Sequence, residues 1–282
     1  MHPCAGTQSE SAPSPVTDRS STEMVNHDSS WRSATLHSFD AIRLSEMDDV
    51  ALLCRSDTKY ILGEEQLSQV LAGLTDHYQI LEIDGRRLHR YRTLYFDTPD
   101  LALYLQHHSG WRNRYKVRQR AYADSGLTFL EVKQKTNGHT TVKSRMQIPA
   151  LCSQIAPDAK AFLRATYPYP VEALEAKLLN TFQRLTLVSM HSVERVTVDV
   201  GLCFLWNDAH VSLAGIAVAE VKQDGFSADS QFVRQMRASV VGATGISKYC
   251  IGISMLYPEV KHNGFEPQLR QIARLVHEGR PT

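Results

Sequence analysis

The chain has 282 residues, 43% hydrophobic and 22% charged, enough apolar material to bury a sizeable core, which excludes a staple-dependent mini-protein and wholesale disorder. Thirty-one Lys plus Arg against 30 Asp plus Glu leave a formal charge of +1, so the molecule as a whole has no bulk pull toward nucleic acid or an anionic membrane, and any charge-driven function requires local segregation. Five scattered cysteines (Cys4, Cys54, Cys152, Cys203, Cys250) without a Cys-x-x-Cys pair argue against a disulfide framework or a zinc ribbon, and with no membrane span or signal core in the sequence they point to a soluble, cytoplasmic protein.

Residues 1–47 are rich in Ser, Thr, Pro and Asp without an apolar period and read as a disordered tail; residues 48–282 show no linker and no internal repeat and read as one domain. Leu67, Val70, Leu71, Leu74 and Tyr78 recur at helical spacing, so a first helix is expected there. A second is expected from about Pro170, with Val171, Leu174 and Leu178 on one stripe, and a last one near Pro267 with Leu269, Ile272, Ala273 and Val276. These stripes are read as core packing and carry no function.

Between the helices the period changes to two. In residues 114–122, Lys116, Arg118 and Arg120 share one face against Tyr115, Val117, Gln119 and Ala121. Residues 128–135 set Glu131, Lys133 and Lys135 against Leu130 and Val132, and residues 140–148 set Lys143 and Arg145 against Val142, Met146 and Ile148. Asn137-Gly138 between these two runs signals a hairpin. Further on, Arg195, Thr197 and Asp199 oppose Val196, Val198 and Val200, and Glu220 and Lys222 share a face in residues 217–223.

A half-exposed sheet also alternates, but its solvent face mixes signs, because like charges directly opposite each other destabilise the pairing. Here the charged faces are mostly basic in a neutral chain, and such a surface requires an anion to offset it. The expected architecture is α+β: an antiparallel β-barrel enclosing a basic-lined tunnel, with amphipathic helices covering its apolar exterior. Glu131, Asp199 and Glu220 on the same faces are either hard oxygen ligands for Mg²⁺ or Mn²⁺, or ion-pair partners that hold the bases apart.

The ordered set YRTLYFDTPDLALY, RYKVRQR, FLEVKQK, VKSR, NTFQR, ERVTVD, AEVK and SKY resembles the VTC domain of the vacuolar transporter chaperone polyphosphate polymerases, a domain of the triphosphate tunnel metalloenzymes, over residues 50–257. The resemblance is to the free-standing form of the domain. It implies an antiparallel barrel around a tunnel that binds nucleoside triphosphate and polyphosphate with Mn²⁺ or Mg²⁺. It places tunnel cations at Lys59, Arg118, Arg120, Lys133, Lys143, Arg184, Arg195 and Lys248, with Lys116, Arg145 and Lys222 beside them, and the metal-binding glutamate at Glu220, joined by Glu131 and Asp199. Tyr95 and Asp97 belong to its YFDT signature. The superfamily's opening Glu-x-Glu-x-Lys strand reads Arg55-Ser56-Asp57-Thr58-Lys59 here, a departure that bears on metal binding from this strand.

Other chemistries find no motif. There is no G-x-x-x-x-G-K-[ST] loop, no H-E-x-x-H and no G-x-S-x-G elbow, and His107-His108 reads as surface loop. The expected activity is transfer of the γ-phosphoryl of a nucleoside triphosphate to a growing polyphosphate chain; a triphosphatase using the same site, or a non-catalytic polyphosphate binder, are the alternatives. The shortage of aromatics on the basic faces argues against a single-stranded nucleic acid partner. A membrane-bound partner and the oligomeric state are left open.

Overall fold

The period-two runs form the sheet and the period-3.6 runs cover it. The computed structural model describes residues 30–47, 55–137, 140–225 and 229–278. In chain order these form α1 (Ser30–His37), β1 (Ala41–Ile42), a 3-10 turn, β2 (Arg55–Gly63), α2 (Glu64–Ala72), β3 (Tyr78–Leu81), β4 (His89–Asp97) and α3 (Ala102–His108). Then follow β5 (Arg114–Tyr122), β6 (Leu127–Lys135), β7 (Thr141–Ile148), α4 (Pro157–Thr166), β8 (Glu175–Ser189), β9 (Glu194–Trp206), β10 (Ala209–Leu213) and β11 (Ile216–Asp224), and last α5 (Gln231–Ala238), α6 (Lys248–Leu256) and α7 (Glu266–Glu278).

The class is α+β, and the main sheet is antiparallel in the order β2-β11-β9-β8-β4-β5-β6-β7. It curls without closing, since β2 and β7 are its two ends and do not pair with each other. The free edge of β2 is occupied in part by the segment before α6, where the Thr244 N–H donates to the Lys59 carbonyl at 2.7 Å. The curl still brings distant strands together: Lys133 on β6 feels the charges of Lys59 on β2 and Glu220 on β11.

The outer face is apolar and doubly covered. Tyr60, Leu62, Val196, Val198, Ala217, Ala219 and Val221 from β2, β9 and β11 pack under Leu67, Val70 and Leu71 of α2 and Phe232 and Met236 of α5. Leu94, Phe96, Tyr115, Val117, Leu130 and Val132 from β4, β5 and β6 pack under Leu103 of α3 and Ala159 and Leu163 of α4. Burying side chains of this size contributes roughly 1.5–3 kcal/mol each.

The inner face has two halves, and a bulge in β9 separates them. Up to Asp199 the inward residues of β9 are polar; the register against β8 then shifts, with Gln183 opposite Val200 but Thr181 opposite Cys203. Gly201 sits at the extra residue with φ +60°, a conformation that costs glycine nothing. Beyond it Leu202 and Phe204 face the same interior cluster as Ile61, Leu178 and Val218, and α6 lies on them through Ile251 and Ile253. The contact is close at Gly252, where a Cβ would stand 2.6 Å from Leu178 Cδ2 and 2.8 Å from Phe204 Cδ1.

Three expectations are corrected. Residues 30–47, read as part of a disordered tail, carry α1, β1 and a 3-10 turn, and Leu36 and Phe39 are buried in the core with α2; residues 1–29 and 48–54 lie outside the described residues. The helix expected from Pro170 is a 3-10 turn (Val171–Ala173) followed by β8. Leu174 and Leu178 are buried in different clusters, and Tyr78, read as the end of the first helix, belongs to β3. The helix near Pro267 is α7, and the expected hairpin joins β6 to β7, with Gly138 outside the described residues.

Candidate active site on the inner face of the sheet

Cross-strand register builds the site. On β5 and β6, Lys116 stands opposite Lys133, Arg118 opposite Glu131 and Arg120 opposite Phe129, while β7 adds Lys143 opposite Lys133 and Arg145 opposite Glu131. From the other side β8 sets Arg184 opposite Asp199, and β11 sets Glu220 opposite Lys59 of β2 and Lys222 opposite Arg195 of β9. A strand of period two delivers all of these to one face. Lys248 enters from the first turn of α6, whose N-cap Ser247 accepts from the Cys250 N–H at 3.3 Å and from Lys116 Nζ at 2.8 Å.

The charges sort into three bridged sets. Glu220 takes Lys59 on Oε1 at 3.0 Å and Lys222 on Oε2 at 2.7 Å. Glu131, 1% exposed, takes Arg118 on Oε2 at 2.7 Å and Lys143 on Oε1. Asp199, 2% exposed, takes a bidentate Arg184 at 2.5 and 2.7 Å and Lys248 on Oδ2 at 2.5 Å. Burial raises both the Glu131 and Asp199 carboxyls, but Arg118, Arg120 and Lys143 on the one and Arg184 and Lys248 on the other outweigh it and hold each at about 2. Glu220 is likewise held well below the carboxylate range by Lys222 and Lys59 against the effect of burial.

A second group of cations has no carboxylate in direct contact among the described residues. Arg120, 8% exposed, donates to Thr93 Oγ1 at 3.2 Å, and its guanidinium lies 5.6 Å from the centroid of Tyr91 and 6.0 Å from that of Phe182. Burial, then the charges of Arg118 and Arg184, pull its pKa down. Lys116 is lowered to about 8 by burial and by Arg118 and Lys59, and Lys133 to about 8 by burial and by Lys116. Burial also brings Lys222 to about 8 despite Glu220. Surplus positive charge thus lies along two adjacent strands: Lys116 of β5 faces Lys133 of β6, and Arg120 stands four residues further along β5, beyond Arg118.

Aromatic rings were missed by the reading of the charged faces. Tyr91 and Phe182 are stacked at 5.2 Å, and Arg184 lies over both while Lys248 lies over Phe182 and Arg145 over Phe129. The premise that the basic faces are short of aromatics is therefore corrected. Each of these three rings already carries a cation on its face, an arrangement worth about 1–2 kcal/mol that pre-orients the guanidinium groups. The signal lay in Tyr91 and Phe182, which share the parity of Thr93 and Arg184 on their own strands.

Asp97 of the YFDT signature is fully buried and accepts from the Leu103 and Tyr104 N–H groups at the start of α3 and from the Tyr249 hydroxyl. Burial raises its carboxyl pKa against the pull of these bonds. The signature thus fastens α6 next to Lys248. His107 and His108 are not loop residues but end α3; His107 Nδ1 accepts from Arg114 Nε at 2.9 Å, and its pKa falls to about 2 through burial and the charges of Lys116 and Arg114.

Of the residues expected at the site, Arg195 and Arg145 stand on the inner face by register, toward its rims. The three expected metal carboxylates are not brought together: each sits in its own bridged set, and among the described residues no group of three His, Cys, Asp or Glu side chains could hold a metal ion. The donor set does not fit a preformed metal centre, because all six carboxylate oxygens face cations.

A curled antiparallel sheet with a cation-lined inner face and an apolar, helix-covered outer face is a tunnel-like wall whose chemistry suits an anion. The chain belongs to the VTC domain family, whose model matches residues 54–257. Triphosphate tunnel enzymes, the wider class, bind triphosphate substrates and generally depend on a divalent metal. No curated protein matches the chain in sequence. Among solved structures it is similar to a proposed adenylate cyclase from Bacillus halodurans (13% identity, 72% of this chain and 97% of that one, TM-score 0.46). It is also similar to one from Vibrio parahaemolyticus (13%, 71% and 98%, TM-score 0.42). A third is a proposed adenylyl cyclase from Hippeastrum described as having a dominant triphosphatase activity (13%, 71% and 96%, TM-score 0.40). No helix among the described residues is long and apolar enough to cross a membrane.

Proposed function

We propose that the protein is a polyphosphate polymerase, transferring the γ-phosphoryl of a nucleoside triphosphate to the end of a polyphosphate chain held along the inner face. The observation that supports this reading is the row of cations along β5 and β6, Lys116, Arg120 and Lys133, which among the described residues have no carboxylate in direct contact and which suit a linear polyanion.

In the step, an oxygen of the terminal chain phosphate bonds to the γ-phosphorus as the bond from that phosphorus to the bridging oxygen breaks, leaving nucleoside diphosphate and a chain one phosphate longer. The attacking oxygen is already ionised, so no base is required. The protein's task is to align donor and acceptor and to offset charge on the equatorial oxygens. Arg118, Arg120 and Arg184 provide planar forks for phosphate oxygens, and Lys59, Lys116, Lys133, Lys143 and Lys248 provide point charges.

Hydrolysis by the same site asks for something the carboxylates do not supply. Water has to lose a proton, and Glu131 and Asp199, held at about 2 and bonded on both oxygens, are poor bases. His107 is neutral and committed to Arg114. Lys116, Lys133 and Lys222, at about 8, are the remaining groups that could take that proton, so hydrolysis stands as the second reading. Incubation of pure protein with ATP and Mn²⁺, with products resolved by gel and phosphate assay, tests the proposal: chains of increasing length are expected, whereas free phosphate alone selects the triphosphatase and no turnover selects the binder.

A further inference from the structure

The three bridged sets have one property in common: every carboxylate oxygen that a divalent cation would need is already taken by an ammonium or guanidinium group. A cation seated on any of them would displace one positive group and lie against the other, inside a wall with cations to spare. Electrostatics opposes loading the empty site with metal.

The sets are not equal. Glu131 and Asp199 are buried to 1% and 2% and each is gripped by an arginine through two nitrogens. Glu220 is 21% exposed, and both its partners are lysines, flexible point charges that can swing from carboxylate to phosphate without losing a planar match. Lys59 and Lys222 flank it from β2 and from its own strand.

We propose that Glu131, Asp199 and Glu220 are built-in counter-ions of the empty site, that a polyphosphate takes the place of Glu220 on Lys59 and Lys222, and that a divalent cation enters only with the polyphosphate. Binding is therefore ordered, anion before or together with metal. Glu131 and Asp199 stay with their arginines and keep those forks aimed. The inference rests on the reading of the inner face as a polyphosphate site and adds the order in which its components assemble.

Calorimetry with tripolyphosphate in EDTA, electron paramagnetic resonance of Mn²⁺ with the protein alone, and the same titrations of Glu220→Gln test it. Wild type is expected to bind tripolyphosphate without metal and to leave the free Mn²⁺ signal undiminished when no anion is present. Glu220→Gln is expected to bind metal-free tripolyphosphate about fivefold tighter, because one competing ion-pair acceptor of roughly 1 kcal/mol is gone. Saturable Mn²⁺ binding to the anion-free wild type that Glu220→Gln abolishes, or weaker metal-free tripolyphosphate binding by a folded Glu220→Gln, overturns the exchange. A folded protein that binds tripolyphosphate under no condition overturns instead the polyphosphate reading on which it rests. A thermal melt of the variant shows whether it is folded, and in an unfolded case Glu220→Asp takes its place: it keeps the charge but shortens the reach to both lysines, so a smaller tightening in the same direction is expected.

Discussion

Arg118 and Arg120 are two residues apart on β5 and read alike in sequence, yet the structure gives them opposite relations to the fold. Arg118 offsets the buried Glu131, so Arg118→Ala leaves that carboxylate with Lys143 alone and is expected to cost about 3 kcal/mol of stability. Arg120 stands between Arg118 and Arg184 with a threonine hydroxyl and two rings for company. Arg120→Ala relieves repulsion in the empty site, so the melting temperature is expected to hold or rise while turnover falls by roughly 10²–10³-fold, as for loss of one donor to a transition-state oxyanion. Denaturant melts beside chain-synthesis assays of the two single variants check this. Equal destabilisation by both would show Arg120 to be a core ion-pair partner.

At the scale of elements, α6 is the piece that converts packing into charge placement. Its seat on Leu178 and Phe204 at Gly252, and its fastening to Asp97 through Tyr249, determine where Ser247 and Lys248 stand relative to Lys116 and Asp199. Gly252→Ala is expected to lift the helix, to cost about 1–3 kcal/mol, and to weaken polyphosphate binding although residue 252 touches no ligand. Parallel thermal melts and tripolyphosphate titrations separate the two effects; a variant that melts lower but binds unchanged would detach α6 from the site.

The strands around this helix show what a sequence reveals. β5, β6, β7 and most of β9 and β11 were legible because one face is charged and the other apolar, and the face shared by the basic residues followed from the period alone. The start of β8 was not, because Leu174 and Leu178 are buried on different sides of the sheet and their spacing imitates a helical stripe. The β9 bulge was also hidden, since one glycine in a strand does not announce a change of face. α6 is apolar nearly all round, being buried on the inner side, so it has no stripe to find. The tunnel cations could be named in advance, but their division into bridged and surplus groups depends on pairing across strands that are far apart in the chain.

For the molecule as a whole, the depressed lysines couple charge, stability and binding with opposite signs. Lys116, Lys133 and Lys222 have folded-state pKa values of about 8 against an ordinary value near 10.5. Between these values the unfolded chain holds protons that the folded one has released, so their contribution to stability rises as pH increases from about 8 to about 10.5. Over the same window the empty site loses positive charge, and polyphosphate has to draw protons back in order to bind. From pH 7.5 to pH 9.5, tripolyphosphate affinity is therefore expected to fall by roughly tenfold or more, with net proton uptake visible in buffers of different ionisation enthalpy, while the destabilisation these charged lysines impose on the empty protein is relieved. Affinity independent of pH over this range would show that the lysines do not meet the anion.

The unpaired ends of the sheet give this charge a mechanical side. A closed barrel cannot widen without breaking a strand pair, but here β2 and β7 share no ladder, so spreading the wall at that seam severs no hydrogen bond between strands. Lys59 on β2 repels Lys116 and Lys133 on β5 and β6, which pushes the two flanks of the empty protein apart. A chain of phosphates laid between them reverses the sign of that force and draws the flanks together. On the proposed polyphosphate reading, a bound chain is expected to act as a clasp across that seam.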